Sequence, residues 1–128
     1  MSEKHVVEAK GAPQAIGPYS AAVKTDTMVF TAGQLGVDPG SGEFSSGDIQ
    51  SQTRQALENL RAVLLAAGSS LTKVIKTTVF LRDMDEFKAM NEVYAEFFKE
   101  EYPARSAVQV ARLPKDAAVE IEAVALLD

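Results

Sequence analysis

The chain has 128 residues, a formal net charge of -5, no cysteine and one histidine. This length suits one domain with its own hydrophobic core, so we expect residues 1–128 to form a single domain. The lack of cysteine excludes disulfides, thiolate nucleophiles and cysteine-bound metals. The negative charge and the lack of a lysine and arginine cluster argue against a nucleic-acid partner, because neutralisation of phosphates supplies most of the affinity for nucleic acids.

The N-terminus and the hydropathy of the chain bear on its location. The segment MSEKHVVEAK is polar and charged, and it lacks the apolar run of a signal peptide. No stretch approaches the roughly 20 apolar residues that a membrane span needs. We therefore expect a cytoplasmic protein with no membrane partner.

Short strands and turns are predicted in the first third of the chain. Residues 5–9 favour a strand, and the proline- and glycine-rich segment 11–20 is typical of an ordered loop. The segment 21–37 predicts two strands around a turn at 25–27, and DPGSGE at 38–43 predicts a further turn. Three strands are thus expected before the first helix.

Two helices are predicted on either side of a strand. From about Ser46, apolar residues recur at intervals of three and four, which indicates an amphipathic helix ending at Gly68. The segment 73–83 is rich in β-branched residues and predicts a strand. Asp83 or Asp85 can cap the second helix. The apolar face of that helix comprises Phe87, Met90, Val93, Tyr94 and Phe97.

Two final strands are predicted at 105–113 and 118–127, separated by a turn at 114–116. The resulting order is β-β-β-α-β-α-β-β. Two helices with five or six strands indicate an α+β fold, in which both helices cover one face of a mixed β-sheet. The other face would then be a candidate oligomer interface.

Several polar residues could carry chemistry. Arg105 starts a strand, where it is either a surface cation or a planar fork for a carboxylate. Glu120 and Glu122 share one side of a strand, which is either solvated or holds a partly buried carboxylate whose raised pKa allows proton exchange with water. Tyr19 either packs in its loop or bonds a ligand through its hydroxyl. His5 is expected to be incidental, and no metal-binding motif is recognisable.

Four longer segments carry a resemblance to a known family. They are GAPQAIGPYS (11–20), TAGQLGVDPGSGE (31–43), VIKTTVFLRDMDEFKAMNEVYAEFF (74–98) and YPARSAVQVARLPKDAAVEIEAVAL (102–126). These segments fall in the order found in the family. From about Ala9 onward, the chain is identified as a member of the Rid family, also called YjgF or reactive intermediate deaminase, and it is most similar to the RidA subgroup.

The resemblance implies a chorismate-mutase-like α+β fold and a homotrimer with sites in the clefts between subunits. It also implies a 2-iminobutanoate/2-iminopropanoate deaminase, which hydrolyses reactive enamines and imines of the 2-aminoacrylate type to 2-keto acids and ammonia. Pyridoxal-phosphate dehydratases would release these substrates. No cofactor and no metal are expected.

By the same resemblance, Arg105 and Glu120 are the expected catalytic residues. Arg105 would bind the substrate carboxylate through paired, charge-assisted hydrogen bonds. Glu120 would take a proton from the attacking water and return it to the departing amine. The division of work between Glu120 and Glu122 stays open.

The resemblance also indicates the residues that line the site. Tyr19 would reach it from a neighbouring subunit, Gly33 and Asn91 would line it, and the backbone of Ala107 would bond the substrate nitrogen. Many bacterial relatives have cysteine at the position of Ala107 and serine at that of Ala32. A backbone role survives the first change, whereas the hydroxyl lost at Ala32 bears on substrate preference.

Two other functions stay open. The same trimer could bind small carboxylates without turnover, as a regulatory protein. Family members have also been described as translation inhibitors or ribonucleases. The acidic balance and the single histidine argue against action on RNA.

Overall fold

The computed structural model describes residues 3–127, which form seven β-strands and two α-helices. The strands are β1 (His5–Val7), β2 (Ala22–Lys24), β3 (Met28–Thr31), β4 (Gln34–Leu35), β5 (Val74–Leu81), β6 (Ala104–Gln109) and β7 (Val119–Leu126). The helices are α1 (Ile49–Ala67) and α2 (Phe87–Phe97). Each predicted helix and strand is present, and the second strand predicted within 21–37 is divided into β3 and β4.

The seven strands form one mixed β-sheet in the order β1-β2-β3-β7-β5-β6, with β4 also paired to β7. β5 and β6 run parallel, and the other pairs run antiparallel. A parallel pair needs a long crossover connection, and α2 lies within it. In the sheet, β5 lies between β6 and β7, although β6 and β7 follow each other in the sequence.

Helix α1 has a cap at each end. The carboxylate of Asp48 accepts a hydrogen bond from the backbone N–H of Ser51 at 2.9 Å. Hydrogen bonds from Ser46 and Ser51 hold the pKa of Asp48 at about 2, so this cap is ionised at neutral pH. The predicted C-terminal cap is confirmed, because Gly68 adopts the left-handed conformation with a φ of 89°.

Helix α2 is preceded by one short 3₁₀ turn, Met84–Glu86. Asp83 caps this turn and not α2, since its carboxylate accepts a hydrogen bond from the backbone N–H of Asp85 at 2.9 Å. The N-cap residue of α2 is Glu86, whose side chain makes no capping hydrogen bond, so the predicted capping of this helix by Asp83 or Asp85 was wrong: the intervening turn places both residues ahead of its first turn. The predicted apolar face of α2 packs inward. Its buried residues are Met90, Val93 and Tyr94. Phe87 and Phe97 pack against the core at its edge.

Both helices pack on one face of the sheet, as the alternation along β7 shows. Its buried side chains on the helix side are Val119, Ile121, Ala123 and Ala125. Its side chains on the opposite face are Glu120, Glu122, Val124 and Leu126. We call this second surface, which no helix of residues 3–127 covers, the helix-free face. The strand register places four exposed apolar side chains there: Val6, Phe30, Val108 and Leu126.

The predicted α+β arrangement, with both helices on one face of a mixed sheet, is confirmed. The use of the helix-free face as an oligomer interface stays a prediction. Its exposed apolar surface agrees with such a use, since burying it would be favourable by about 25 cal/mol per Å².

Candidate active site

Arg105 lies on β6, on the side of the sheet that α2 covers. Its Nη1 donates a hydrogen bond to Oδ1 of Asn91 at 2.7 Å. Its Cζ lies 4.7 Å from the ring centre of Tyr94 and 5.3 Å from that of Phe87, within the range of cation–π interactions. The three contacting residues follow one face of α2 at spacings of four and three, so a single helix holds the guanidinium.

The guanidinium of Arg105 is open on its other side. Within residues 3–127, its remaining N–H groups have no hydrogen-bond partner, and no carboxylate forms an ion pair with it. Arg105 and Asn91 both line a cavity of about 430 Å³, together with Tyr94, Tyr102 and Pro103. Arg105 is therefore a fixed cation facing a cavity rather than a free surface cation, and it can receive a carboxylate on two parallel donors.

Ala107 lies two residues beyond Arg105 on β6, the edge strand of the sheet. The backbone N–H of Val110 donates to the carbonyl of Leu81 on β5 at 3.0 Å. Successive residues of a strand alternate in direction, so the backbone N–H and C=O of Ala107 point to the open edge. A ligand at Arg105 would find both groups available.

Glu120 lies on β7, on the helix-free face. Its side chain packs over Gly33, where an added Cβ would lie 2.6 Å from the carboxyl carbon of Glu120. Only glycine leaves room for the carboxylate in this position. Burial, and to a lesser degree the neighbouring Glu122 carboxylate, raise the pKa of Glu120. The strand face is therefore not simply solvated: Glu120 and Glu122 are both partly buried, and Glu120 is the one with a raised pKa.

Tyr19 and Gly33 line one cavity of about 250 Å³. The hydroxyl oxygen of Tyr19 accepts a hydrogen bond from the backbone N–H of Ile16 at 3.3 Å, so its own proton remains available to a ligand. Tyr19 is 53% exposed. Ala32 precedes Gly33 and its backbone N–H bonds the carbonyl of Ala21 at 2.8 Å. The loop that carries Tyr19 is thus joined to the turn that carries Gly33.

The expected site residues fall into two groups. The first comprises Arg105, Asn91 and Ala107, and the second comprises Tyr19, Gly33 and Glu120. Across β5, Arg105 aligns with Thr77 and Glu120 with Phe80. The two groups are therefore about 10 Å apart along the strands, two strand spacings apart across the sheet, and on opposite faces. One small molecule cannot contact both Arg105 and Glu120 of the same chain.

Two neighbours of Arg105 were not identified as functional residues from the sequence. Phe87 and Tyr94 were assigned only to the apolar face of a helix. The spacing that places them on either side of Asn91 is visible in the sequence. The sequence does not show which strand lies against α2, so the contact of Phe87 and Tyr94 with Arg105 is known only from the structure.

His5 lies on β1 and is exposed. Within residues 3–127, no group of three or more histidine, aspartate and glutamate side chains is arranged to hold a metal ion. Over the same range, no helix has the length and apolar character needed to cross a membrane.

Comparisons with known proteins agree with this fold. The family model described as Endoribonuclease L-PSP matches residues 9–127. A RutC family protein of Pyrococcus horikoshii is 57% identical over 122 residues, which cover 95% of this chain and 97% of that protein. The human 2-iminobutanoate/2-iminopropanoate deaminase is 48% identical over 123 residues, which cover 96% of this chain and 90% of that protein.

A solved structure leads to the same family. The crystal structure of Escherichia coli TdcF with bound serine has a TM-score of 0.92 and 50% sequence identity, and the match covers 97% of this chain and 99% of that one. The chain belongs to the Rid (YjgF) family, whose model carries the Endoribonuclease L-PSP description. The resemblance seen in the sequence is thereby confirmed. Hydrolytic deamination is supported at the level of the family, in which human, goat and cattle relatives bear the name 2-iminobutanoate/2-iminopropanoate deaminase.

Proposed function

We propose that this protein hydrolyses 2-imino acids and their enamine tautomers to 2-keto acids and ammonia, as a 2-iminobutanoate/2-iminopropanoate deaminase. One observation carries the proposal. Arg105 is a cation fixed by Asn91 and two rings, with unpaired N–H groups facing a cavity. Such a group suits a small carboxylate, and the human relative at 48% identity bears the name of this deaminase.

The proposed reaction requires a homo-oligomer. Arg105 and Glu120 of one chain lie on opposite faces of the sheet, so a substrate that contacts both residues must lie between two chains. The helix-free face, which holds Glu120, has the exposed apolar surface for such an interface. We assign a homotrimer, in keeping with the resemblance to the Rid family. Tyr19 and Glu120 of one chain would face Arg105 of the next.

Binding of the substrate follows from the groups around Arg105. The two open nitrogens of the guanidinium would hold the substrate carboxylate bidentately. The backbone of Ala107 points to the same open edge and would bond the substrate nitrogen, through N–H to an imine or through C=O to an iminium. These two contacts would fix the electrophilic carbon between carboxylate and nitrogen, which replaces a random encounter by an oriented one.

Glu120 would then perform the proton transfers. Its carboxylate takes a proton from water while the water oxygen bonds to the imine carbon, and the C=N bond becomes a C–N bond. The proton returns to nitrogen, which completes a neutral carbinolamine. Glu120 then takes the proton of the carbinol hydroxyl and passes it to the amine nitrogen, so that the C–N bond breaks, ammonia leaves and the C=O bond forms. The raised pKa of Glu120 suits both steps, since a base and an acid are needed in turn near neutral pH.

A coupled assay tests the proposal. A pyridoxal-phosphate threonine dehydratase with threonine supplies the transient imine, and keto acid formation is followed with and without the protein. We expect faster formation with the protein and no acceleration by Arg105→Ala. Arg112→Ala is the matched control, because Arg112 is exposed and, among residues 3–127, its only ion pair is with Asp116 at 2.8 Å. Absence of acceleration with imines derived from serine, threonine and leucine would contradict the proposal.

Two alternative functions can be tested on the same purified protein. Binding of serine or a keto acid without turnover would indicate a regulatory carboxylate-binding protein, and the TdcF structure does contain bound serine. The description of the family model favours a test for ribonuclease action. RNA cleavage that persists in Glu120→Gln but not in a mock preparation would support that alternative, although the net charge of -5 opposes RNA binding.

A further inference from the structure

Tyr94 and Thr77 form a buried pair beneath Arg105. Their hydroxyl oxygens are 2.8 Å apart, and the exposed fractions are 7% for Tyr94 and 0% for Thr77. The ring of Tyr94 also packs against Phe98, with ring centres 4.7 Å apart. The ring of Tyr94 is therefore held at its hydroxyl end and along one side, and it has little freedom to turn.

The same ring contacts the guanidinium. Arg105 and Thr77 are direct neighbours in the register of β5 and β6. Tyr94 spans this pair from α2, with its hydroxyl on Thr77 and its ring 4.7 Å from Cζ of Arg105. The position of the guanidinium is thereby tied to the central strand of the sheet and not only to its own edge strand.

The contact leaves the charge of Arg105 uncompensated. Burial raises the pKa of Tyr94, so the phenol stays neutral at physiological pH and cannot form an ion pair with Arg105. The other contacts, Asn91 and the ring of Phe87, are neutral as well. A carboxylate in the place of Tyr94 would hold Arg105 equally firmly but would compete with an anionic ligand.

We propose that Tyr94, anchored by Thr77, is a positioning residue for Arg105. Its ring orients the guanidinium towards the cavity through a neutral contact and thereby sets the affinity for the carboxylate of the substrate. The inference rests on the proposed function in that Arg105 is taken as the carboxylate-binding group. Tyr94 itself takes no part in proton transfer.

The experiment compares Tyr94→Leu with Tyr94→Phe, which keeps the ring and loses only the hydroxyl. KM and kcat for the imine are measured together with the Kd of 2-oxobutanoate by calorimetry. For Tyr94→Leu we expect KM and Kd to rise about tenfold, because the guanidinium of Arg105 loses a cation–π contact that positions it. We expect little change in kcat, because Arg105 binds the substrate carboxylate equally in the ground state and in the transition state. Tyr94→Phe keeps the ring but loses the hydroxyl that anchors it to Thr77, so its KM and Kd should lie between those of the parent protein and those of Tyr94→Leu.

Val93→Ala is the matched control. Val93 is a buried neighbour on α2 whose aliphatic side chain offers the guanidinium neither a ring nor a hydrogen-bond acceptor, so its truncation should lower the melting temperature and leave KM and Kd unchanged. If Tyr94→Leu does not fold, Tyr94→Met is measured in its place, because the unbranched and flexible side chain of methionine adapts to an irregular space.

The outcomes are distinguishable. An inactive parent protein that still binds 2-oxobutanoate, with weaker binding in Tyr94→Leu, would end the proposed deaminase function and keep the positioning role. An active parent protein with unchanged KM and Kd in Tyr94→Leu would overturn the positioning role alone. Equal losses in Tyr94→Phe and Tyr94→Leu, or equal losses in Val93→Ala, would overturn it too, because the ring would then not be the cause.

Discussion

Arg105 and Glu120 lie on opposite faces of one β-sheet, and β5 separates the strands that carry them. Each has its own setting: Arg105 is enclosed by neutral groups of α2, and Glu120 packs over Gly33. If both act on one substrate, each site combines two chains. This relationship makes the proposed site open to a test that does not depend on knowing the best substrate.

Subunit complementation is the first prediction. Arg105→Ala and Glu120→Gln should each be inactive, but oligomers formed by co-expression of the two variants should regain activity. In a ring of chains, about one quarter of the interfaces would receive an intact Arg105 and an intact Glu120. Activity of the mixed oligomer is measured against each variant alone. Activity no greater than that of the single variants would argue that one chain supplies both residues.

The second prediction concerns pH. Burial is the larger cause of the raised pKa of Glu120, and the charge of Glu122 adds to it. The direct strand neighbours of Glu120 on β4 and β5, Leu35 and Phe80, are uncharged. A general base works when ionised, so kcat/KM should fall on acidification with a midpoint above the ordinary range of a glutamate. Glu122→Gln removes the repulsion and should move this midpoint to lower pH.

The pH profiles of kcat/KM for the parent protein and Glu122→Gln provide the measurement. Glu122→Ser serves as a second variant without charge and should show the same displacement, which separates charge from shape. An acidic midpoint that does not move in either variant would remove Glu122 as a modulator of Glu120.

The third prediction concerns the pH dependence of stability. Because the pKa of Glu120 is raised by folding, ionisation of this carboxyl is easier in the unfolded chain. The group therefore favours the folded state at low pH, and this contribution is lost as pH rises through the raised pKa. Relative to the parent protein, Glu120→Gln should gain stability at neutral pH but not at pH values below the ordinary pKa of glutamate. Melting temperatures across the pH range test this, and a constant difference would contradict it.

Gly33→Ala is the fourth prediction. The added Cβ would lie 2.6 Å from the carboxyl carbon of Glu120, so the carboxylate must move. A displacement of about 1 Å at a reacting group can cost about a hundredfold in rate, so kcat should fall strongly while the Kd of 2-oxobutanoate at Arg105 changes little. Gly47→Ala is the matched control, since an added Cβ there meets no atom within 4 Å. Full activity in Gly33→Ala would show that the position of Glu120 is unimportant.

The fifth prediction concerns the support of β4. Nδ2 of Asn59 on α1 donates to the carbonyls of Leu35 and Val37, both at 2.9 Å, from a buried position. Asn59→Ala leaves these acceptors without that donor, and we expect a loss of about 2–4 kcal/mol in the free energy of unfolding. Denaturant unfolding measures it, with Glu58→Ala, an exposed neighbour, as control. Equal stability of the two variants would contradict the buried role of Asn59.

Much of the fold was predictable because its signals are local. The spacing of three and four residues in α1 identifies its buried face, and Gly68 ends the helix because it tolerates a positive φ. The alternation in β7 correctly placed Glu120 and Glu122 on one side of the strand. The division of the third predicted strand into β3 and β4 was missed, since pairing to β7 and not local propensity defines β4.

The candidate site was predictable only in part. Family resemblance named Arg105, Asn91, Glu120 and Gly33, and the structure brings Arg105 to Asn91 and Glu120 to Gly33. The resemblance did not assign these pairs to separate faces of a sheet. The contact of Tyr94 with Arg105 was also absent from the prediction, because a helical period shows which residues face inward but not what they meet.

The sequence by itself determined the helices and strands of this protein and the inward side of each, because propensity, period and capping depend on residues close together in the chain. It also determined membership of the Rid family, through four segments of characteristic residues. The tertiary structure decided the order of the strands. It set β6 parallel to β5 and away from β7, and thereby placed Arg105 under α2 and Glu120 on the helix-free face. Strand order and register depend on contacts between distant segments, which leave no periodic signal in the sequence.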